Sequence, residues 1–192
     1  MQQIVNWIWI ALFVVIVGVR KYHERRSGKE KSFKGTPVLE VIFLGLWGIS
    51  TIAPFFYIFS AWISFADLPF SFPELIRIFG LTVFAVSIWI LHRSHADLGK
   101  MWSLTVEPGA EKELVTKGIY KKIRHPMYTA HVLWGISQCL LFPNLIAGPL
   151  SLAVMLVVLL KRIPREEKAM KKEFGEKYNS YMKKTGAIFP KS

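Results

Sequence analysis

Apolar residues in this chain are gathered into long blocks rather than spaced at helical or alternating intervals. Ile4 to Val19, Val38 to Ala66, Leu75 to Leu91 and Thr129 to Leu160 are almost continuously apolar, the last interrupted at Pro143-Asn144. A helix needs about 20 apolar residues to cross the hydrocarbon core of a bilayer. The blocks therefore predict about five membrane-crossing helices, of which the fourth and fifth form a tight hairpin and the fourth, Thr129 to Phe142, is short. A soluble helical bundle would show water a polar face on its outer helices, and Ile4 to Val19 has none. The expected fold is an all-α integral membrane bundle with a C-terminal amphipathic helix and no Rossmann sheet.

Charge orients the bundle. The 192 residues carry 25 Lys+Arg against 13 Asp+Glu, a formal net charge of +12, although 52% of them are hydrophobic and the mean hydropathy is +0.33. Segment 20–37 holds 7 of the Lys/Arg, segment 92–128 holds 7 and segment 161–192 holds 10, whereas Leu68 to Glu74 and Pro143 to Pro149 hold none. By the positive-inside rule the N-terminus lies outside and the basic loops and tail lie in the cytoplasm. The first span is expected to stay in place, because its positive residues follow the apolar run and no small-residue cleavage site precedes Arg20. Basic residues facing anionic headgroups contribute about 1 kcal/mol each, which explains the charge through membrane lipids as partners and leaves no case for nucleic acid. The single cysteine, Cys139, excludes a disulfide framework. His92 and His95 have no acidic or third histidine partner at ligand spacing, so no metal is expected.

Polar residues concentrate at His92 to Tyr128, before the fourth span, and at Arg162 to Tyr181, after the fifth. A helical hairpin returns both to one membrane face, so Arg124-His125-Pro126-Met127-Tyr128 and Arg162-Ile163-Pro164-Arg165-Glu166-Glu167 should be neighbours. Arg162 and Glu166 are four apart and share a helix face, although Pro164 between them should kink the chain or start a new helix. Further on, Met170, Phe174, Tyr178, Tyr181 and Met182 recur at three- and four-residue steps opposite Lys171, Lys172, Glu173, Glu176 and Lys177. That is the pattern of one amphipathic helix lying on the membrane or over the pocket. His131 and Cys139 read as packing residues of the fourth span. His23 falls in the first loop, where nothing places it near the pocket. There is no G-x-S-x-G nucleophile turn, and none of the 13 glycines forms a G-x-G phosphate loop.

Beyond these patterns, Leu114-Val115-Thr116-Lys117-Gly118-Ile119-Tyr120, Arg124-His125-Pro126-x-Tyr128, Arg162 followed by Glu166-Glu167, and Phe174-Gly175-x-x-Tyr178-x-x-Tyr181 resemble the isoprenylcysteine carboxyl methyltransferases, which belong with the membrane phospholipid methyltransferases. The ordered blocks cover residues 95–190, beginning with His95-x-x-Leu98-Gly99-x-x-Trp102; the first 90 residues match only as apolar spans. The resemblance implies a division into three N-terminal membrane helices with a basic loop (1–91) and a catalytic region (92–192). It implies S-adenosylmethionine as cofactor, contacted by Glu107, Lys112, Leu114, Val115, Tyr120, His125, Pro126, Met127, Tyr128 and Glu166, with S-adenosylhomocysteine as product. It places Arg162 on the family's substrate-binding arginine and makes Arg162 and Glu166 the catalytic pair. Lys112 stands where relatives commonly carry histidine, and Ile119 replaces a proline frequent in bacterial relatives.

The implied reaction is methylation of the α-carboxylate of an isoprenylated cysteine, or a similar lipophilic carboxylate, entering from the bilayer. Such a carboxyl has a pKa of about 3.5 and is already ionised at neutral pH, so it needs a cation to hold it rather than a base. A phospholipid amine would first have to lose a proton, for which Glu167 or His125 could serve. That acceptor, a small thiol, and a non-enzymatic membrane protein are the alternatives.

Overall fold

The computed structural model describes residues 2–27, 37–99 and 113–191. Its α-helices are α1 (Gln2–Ser27), α2 (Val38–Phe59), α3 (Glu74–Leu98), α4 (Pro126–Leu141), α5 (Leu150–Phe174) and α6 (Glu176–Lys184), with single 3-10 turns at Ser64–Ala66 and Gly118–Lys121. Among the described residues β-structure is confined to two isolated bridges, Asp67 with Asn144 and Ile123 with Gly186. The all-helical expectation therefore holds.

Among the described residues three helices are long and apolar enough to cross a membrane: Gln2–Arg26, Val38–Phe59 and Glu74–Leu98. Their outward faces carry Trp7 (63% exposed), Ile49 (65%) and Leu75 (79%). Only lipid would cover apolar surface of this extent. The chain is an integral membrane protein. Helix α4 has 16 residues and a rise of about 24 Å, short of the hydrocarbon thickness of about 30 Å. It forms the expected hairpin with α5, whose apolar half ends at Leu160 before Lys161 and Arg162.

The hairpin turn is built around Asn144, which is fully buried. Its Oδ1 accepts from the Ile146 and Ala147 amides at 2.9 Å each, and its Nδ2 donates to the Ile63 carbonyl at 2.8 Å and to Asp67 at 2.7 Å. These bonds tie the turn to the segment after α2 and leave no polar atom of the amide to hydrocarbon. Helix α4 runs between α3 and α5, while α1 packs on α3 and α2 on α5. Trp9 of α1, with no exposed surface, meets Phe55 of α2, Phe84 of α3 and Phe142 after α4, at ring-centroid distances of 5.1, 6.3 and 5.3 Å.

Two local expectations are corrected. Helix α1 continues past its apolar run to Ser27, supported by an Arg20–Glu24 pair at 3.3 Å. The two residues lie one turn apart on the same face, the spacing at which opposite charges stabilise a helix. His23 therefore belongs to the helix, not to a loop. It is buried against α3, its Nε2 lying 3.2 Å from His92 Nδ1 and its ring stacked on His95.

The second correction concerns the C-terminal periodicity. Helix α5 passes through Pro164 without ending, and it ends instead at Gly175, whose φ is +51°. That is a left-handed conformation, which glycine adopts without strain. The expected single amphipathic helix over Met170 to Met182 is two helices, because a three- and four-residue pattern cannot report a break that keeps its phase. Tyr178, the first apolar residue beyond the break, is 2% exposed.

The tail after α6 returns to the start of α4. Arg124 and His125 amides donate to the carbonyls of Gly186 and Ala187 at 2.9 Å each, the Gly186 amide donates to Lys122 at 3.2 Å, and the Thr129 hydroxyl donates to the Ile188 carbonyl at 2.6 Å. The tail thus supplies acceptors for the two backbone amides just before α4, which have no intrahelical partner, and the Thr129 side chain satisfies a carbonyl of the tail.

Candidate active site

The entrance to α4 and the polar half of α5 meet at one end of the bundle, as the hairpin requires. At the centre is Glu166. Its Oε1 accepts the Tyr128 hydroxyl at 2.6 Å and Arg162 Nε at 2.7 Å, and its Oε2 lies 3.5 Å from His125 Nδ1. His125 turns its other nitrogen toward Glu167 at 3.4 Å. Arg124 Nε and Nη2 both donate to that same Glu167 oxygen, at 2.9 and 2.8 Å. The remaining arm of Arg124 donates to the carbonyls of Thr185 and Met182, so one arginine ties α5 to the end of α6. The rings of His125 and Tyr128 stack with centroids 5.6 Å apart and planes 21° apart.

Charge within the cluster is paired. Burial works against the imidazolium of His125, yet the hydrogen bonds it donates to Glu166 and Glu167 outweigh it and raise its pKa above the ordinary histidine value. A hydrogen bond to the charged form of a group favours that form, and here two carboxylates supply it. Burial likewise opposes ionisation of Glu166, but His125, Arg162 and Tyr128 together hold its carboxyl below the usual range. The His125 hydrogen bond, opposed by partial burial and reinforced by Arg124, pulls Glu167 down to about 2.

These shifts fix the pH window in which the clamp is complete. The Glu167 contribution is full above its ordinary value of 4.5 and is lost as pH falls toward about 2. The His125 contribution is full below 6.5 and is lost as pH rises through its raised value. Thermal unfolding in detergent is expected to show an acid limb from the carboxylates and an alkaline limb that His125→Gln removes. An alkaline limb unchanged in His125→Gln would assign that limb to another group.

The other residues expected at the site are placed around this cluster. Pro126 is buried as the first residue of α4, and the partly buried Met127 packs on the apolar core. Leu114 is buried and Val115 half-buried in the segment leading to the 3-10 turn. Tyr120 is buried with its hydroxyl donated to the Ser94 carbonyl of α3 at 3.3 Å, while its own carbonyl accepts the Tyr181 hydroxyl at 2.6 Å. Glu107 and Lys112 lie outside the described residues. Gly118 is required here: its φ is +59°, and a Cβ would clash with the Asp97 carboxylate that accepts the Ile119 amide. Only glycine meets both conditions.

Two contributors are not among the residues that the sequence singles out for the site. One is Arg124, which lies inside the R-H-P-x-Y block without an assigned part. The other is Glu40 on α2, whose Oε1 lies 3.1 Å from Arg162 Nη1 and whose Oε2 lies 2.7 Å from Arg165 Nη1. The signal for Glu40 is its position as a lone acid at the start of an apolar helix, where an ionised carboxylate must have a cationic partner. Among the described residues no group of His, Cys, Asp and Glu is arranged to hold a metal ion.

The model of the isoprenylcysteine carboxyl methyltransferase (ICMT) family matches residues 78–172, a span that runs from α3 to the end of α5 and includes Arg124, His125, Tyr128, Arg162 and Glu166. Protein-S-isoprenylcysteine O-methyltransferase B of Arabidopsis thaliana is 26% identical over 114 residues, 58% of either chain. A probable protein-S-isoprenylcysteine O-methyltransferase of Oryza sativa subsp. indica is 32% identical over 84 residues, 42% of either chain. The protein-S-isoprenylcysteine O-methyltransferase of Tribolium castaneum is 28% identical over 138 residues, 68% of this chain and 49% of that one. The chain thus spans about half the length of the curated relatives it matches. Among solved structures, the eukaryotic intramembrane Ras methyltransferase ICMT matches with a TM-score of 0.59 at 20% identity, over 94% of this chain and 67% of that one, which shows a shared fold. The hairpin with its clustered Arg162, Glu166 and Tyr128, the matched region and the shared fold lead to one conclusion: over residues 78–172 this chain matches the isoprenylcysteine carboxyl methyltransferase family, and its fold is the one seen in the solved ICMT.

Proposed function

We propose that the protein is an S-adenosylmethionine-dependent membrane methyltransferase that methylates the α-carboxylate of an isoprenylated cysteine or a similar lipophilic carboxylate. The observation that carries this reading is the meeting of Arg162, Glu166, Tyr128 and His125 within hydrogen-bond and ion-pair distance at one end of the bundle. Carboxylates beside a stacked histidine–tyrosine pair are a donor set suited to a ligand that carries positive charge and a flat base. When bound, S-adenosylmethionine supplies a methyl group on a positively charged sulfur. Glu166 offsets the charge of its amino group, and His125 and Tyr128 shape the adenosyl side of the pocket, with Leu114, Val115, Tyr120, Pro126 and Met127 around them.

Arg162 holds the acceptor. Its planar guanidinium is matched to a carboxylate, and burial beside Glu166 and Glu40 fixes its direction. An acceptor that is already anionic needs no proton removed, so the chain would contribute alignment of donor and acceptor and exclusion of water. The isoprenyl tail stays in lipid and enters sideways between helices. The N-terminus lies outside, α4 and α5 complete five crossings, and the site, roofed by α6 and the tail, faces the cytoplasm.

The electrostatics favour a carboxylate over an amine. A phospholipid amine needs a base, yet Glu167 at about 2 is a weak one, and the hydrogen bonds that His125 makes to Glu166 and Glu167 raise its pKa by favouring the protonated ring. Membranes containing the protein are expected to transfer labelled methyl from S-adenosylmethionine to a farnesylated cysteine analogue, giving a product that mild base releases. A base-stable labelled lipid would instead identify N-methylation, and absence of saturable cofactor binding would end the enzymatic reading.

A further inference from the structure

Glu40 is the one acidic side chain of α2, and it lies outside residues 78–172 that the family model matches. It sits in the first turn of the helix, where the helix dipole favours a negative charge. Its side chain is 7% exposed and grips two arginines of α5 with separate oxygens: Oε1 at 3.1 Å from Arg162 Nη1 and Oε2 at 2.7 Å from Arg165 Nη1. On its other edge Arg162 donates Nε to Glu166 at 2.7 Å. The guanidinium is therefore held between carboxylates from two different helices, and its plane cannot turn without breaking one of them.

We propose that Glu40 is a positioning residue for acceptor recognition, holding Arg162 at the angle in which its guanidinium receives the substrate carboxylate; this rests on the methyltransferase reading above. An arginine at the end of a long stem needs such a constraint, because each free rotamer it loses on binding weakens the complex. The Glu40 contact with Arg165 makes the constraint two-sided. With its second oxygen committed to Arg165, Glu40 shares its charge between two cations rather than neutralising Arg162 alone. Glu40 also ties α2, and through it the apolar N-terminal half of the protein, to the chemistry of the C-terminal half.

The test uses the full chain in detergent or native membranes, with S-adenosylmethionine and a farnesylated cysteine analogue. Glu40→Gln keeps the shape and removes the charge. It is expected to raise the acceptor KM about tenfold or more while the cofactor Kd stays within about twofold of wild type, and Glu40→Asp should recover part of the loss. The cofactor Kd is read on the same sample and reports that the site is folded; should Glu40→Gln fail to fold, Glu40→Asp carries the test through the same split of KM from Kd. An acceptor KM that is unchanged or lower in a variant that binds cofactor overturns the assignment, since a mere competitor of the substrate would give the lower value. Parallel loss of both affinities also overturns it, by marking Glu40 as structural. Wild-type protein run alongside separates the failures: if wild type binds cofactor but transfers no methyl group, the carboxylate reading and the Glu40 inference fall together, whereas normal wild-type transfer leaves only Glu40 at issue.

Discussion

Replacing Arg162 by alanine is expected to lower methyl transfer to the farnesylated cysteine analogue by about a hundredfold or more, while the cofactor Kd changes by no more than about threefold. The two halves of this prediction follow from different contacts. The acceptor carboxylate would lose its charged partner in a site from which water is largely excluded, and unpairing a desolvated charge costs about 2–5 kcal/mol. Glu166, by contrast, keeps the Tyr128 hydroxyl at 2.6 Å and the neighbouring His125, and Glu40 keeps Arg165 at 2.7 Å. Neither carboxylate is stranded, so the cofactor side should persist. Arg162→Lys should recover only part of the activity, since an ammonium is a point charge without the two-pronged plane. Isothermal titration with S-adenosylmethionine, run beside an assay of base-labile methyl ester, checks both halves. Transfer that survives in Arg162→Ala would move acceptor recognition elsewhere.

The second large effect is expected at Glu166. Glu166→Gln preserves size but removes the charge that Arg162, His125 and Tyr128 converge on. Hydrogen bonds to a charged group contribute about 1.5–3 kcal/mol, so the cofactor should bind about 10- to 100-fold more weakly. Much of the transfer rate should return at saturating cofactor, because Arg162 still has Glu40 to orient it. Were Glu166→Gln to raise only the acceptor KM and leave cofactor affinity intact, Glu166 would belong to the acceptor side and the division of roles between the two residues would be reversed.

The hairpin made the centre of this site legible without coordinates. Antiparallel helices joined by Pro143-Asn144 must return Tyr128 and Glu166 to the same end, and their side chains do meet. The four-residue step from Arg162 to Glu166 likewise predicts their contact, and the pair forms at 2.7 Å even though Pro164 lies between them. A proline lacks its own backbone donor and so leaves the carbonyl one turn back without that bond, but side-chain phase is unchanged, so the helix continues and the pair survives.

What the chain's own pattern determined was therefore whatever depends on burial in lipid and on separation along one helix: the apolar spans, the hairpin, and the cluster where it begins and ends. What the tertiary structure alone decided were the partners. A solitary Glu40 in an apolar helix announces that some cation must meet it, and nothing in its neighbours says that Arg162 and Arg165, far along the chain, are that cation. Gly175 breaks the C-terminal helix while keeping its periodicity. The pairing of residues 122–125 with Gly186 and Ala187 uses backbone groups that nearly every residue type carries. His23 is drawn from an apparent loop into contact with His92 and His95 because helical hydrogen bonding outlasts the apolar run. In each case periodicity records which face a side chain takes, whereas the identity of the group opposite is set by how separate helices come together.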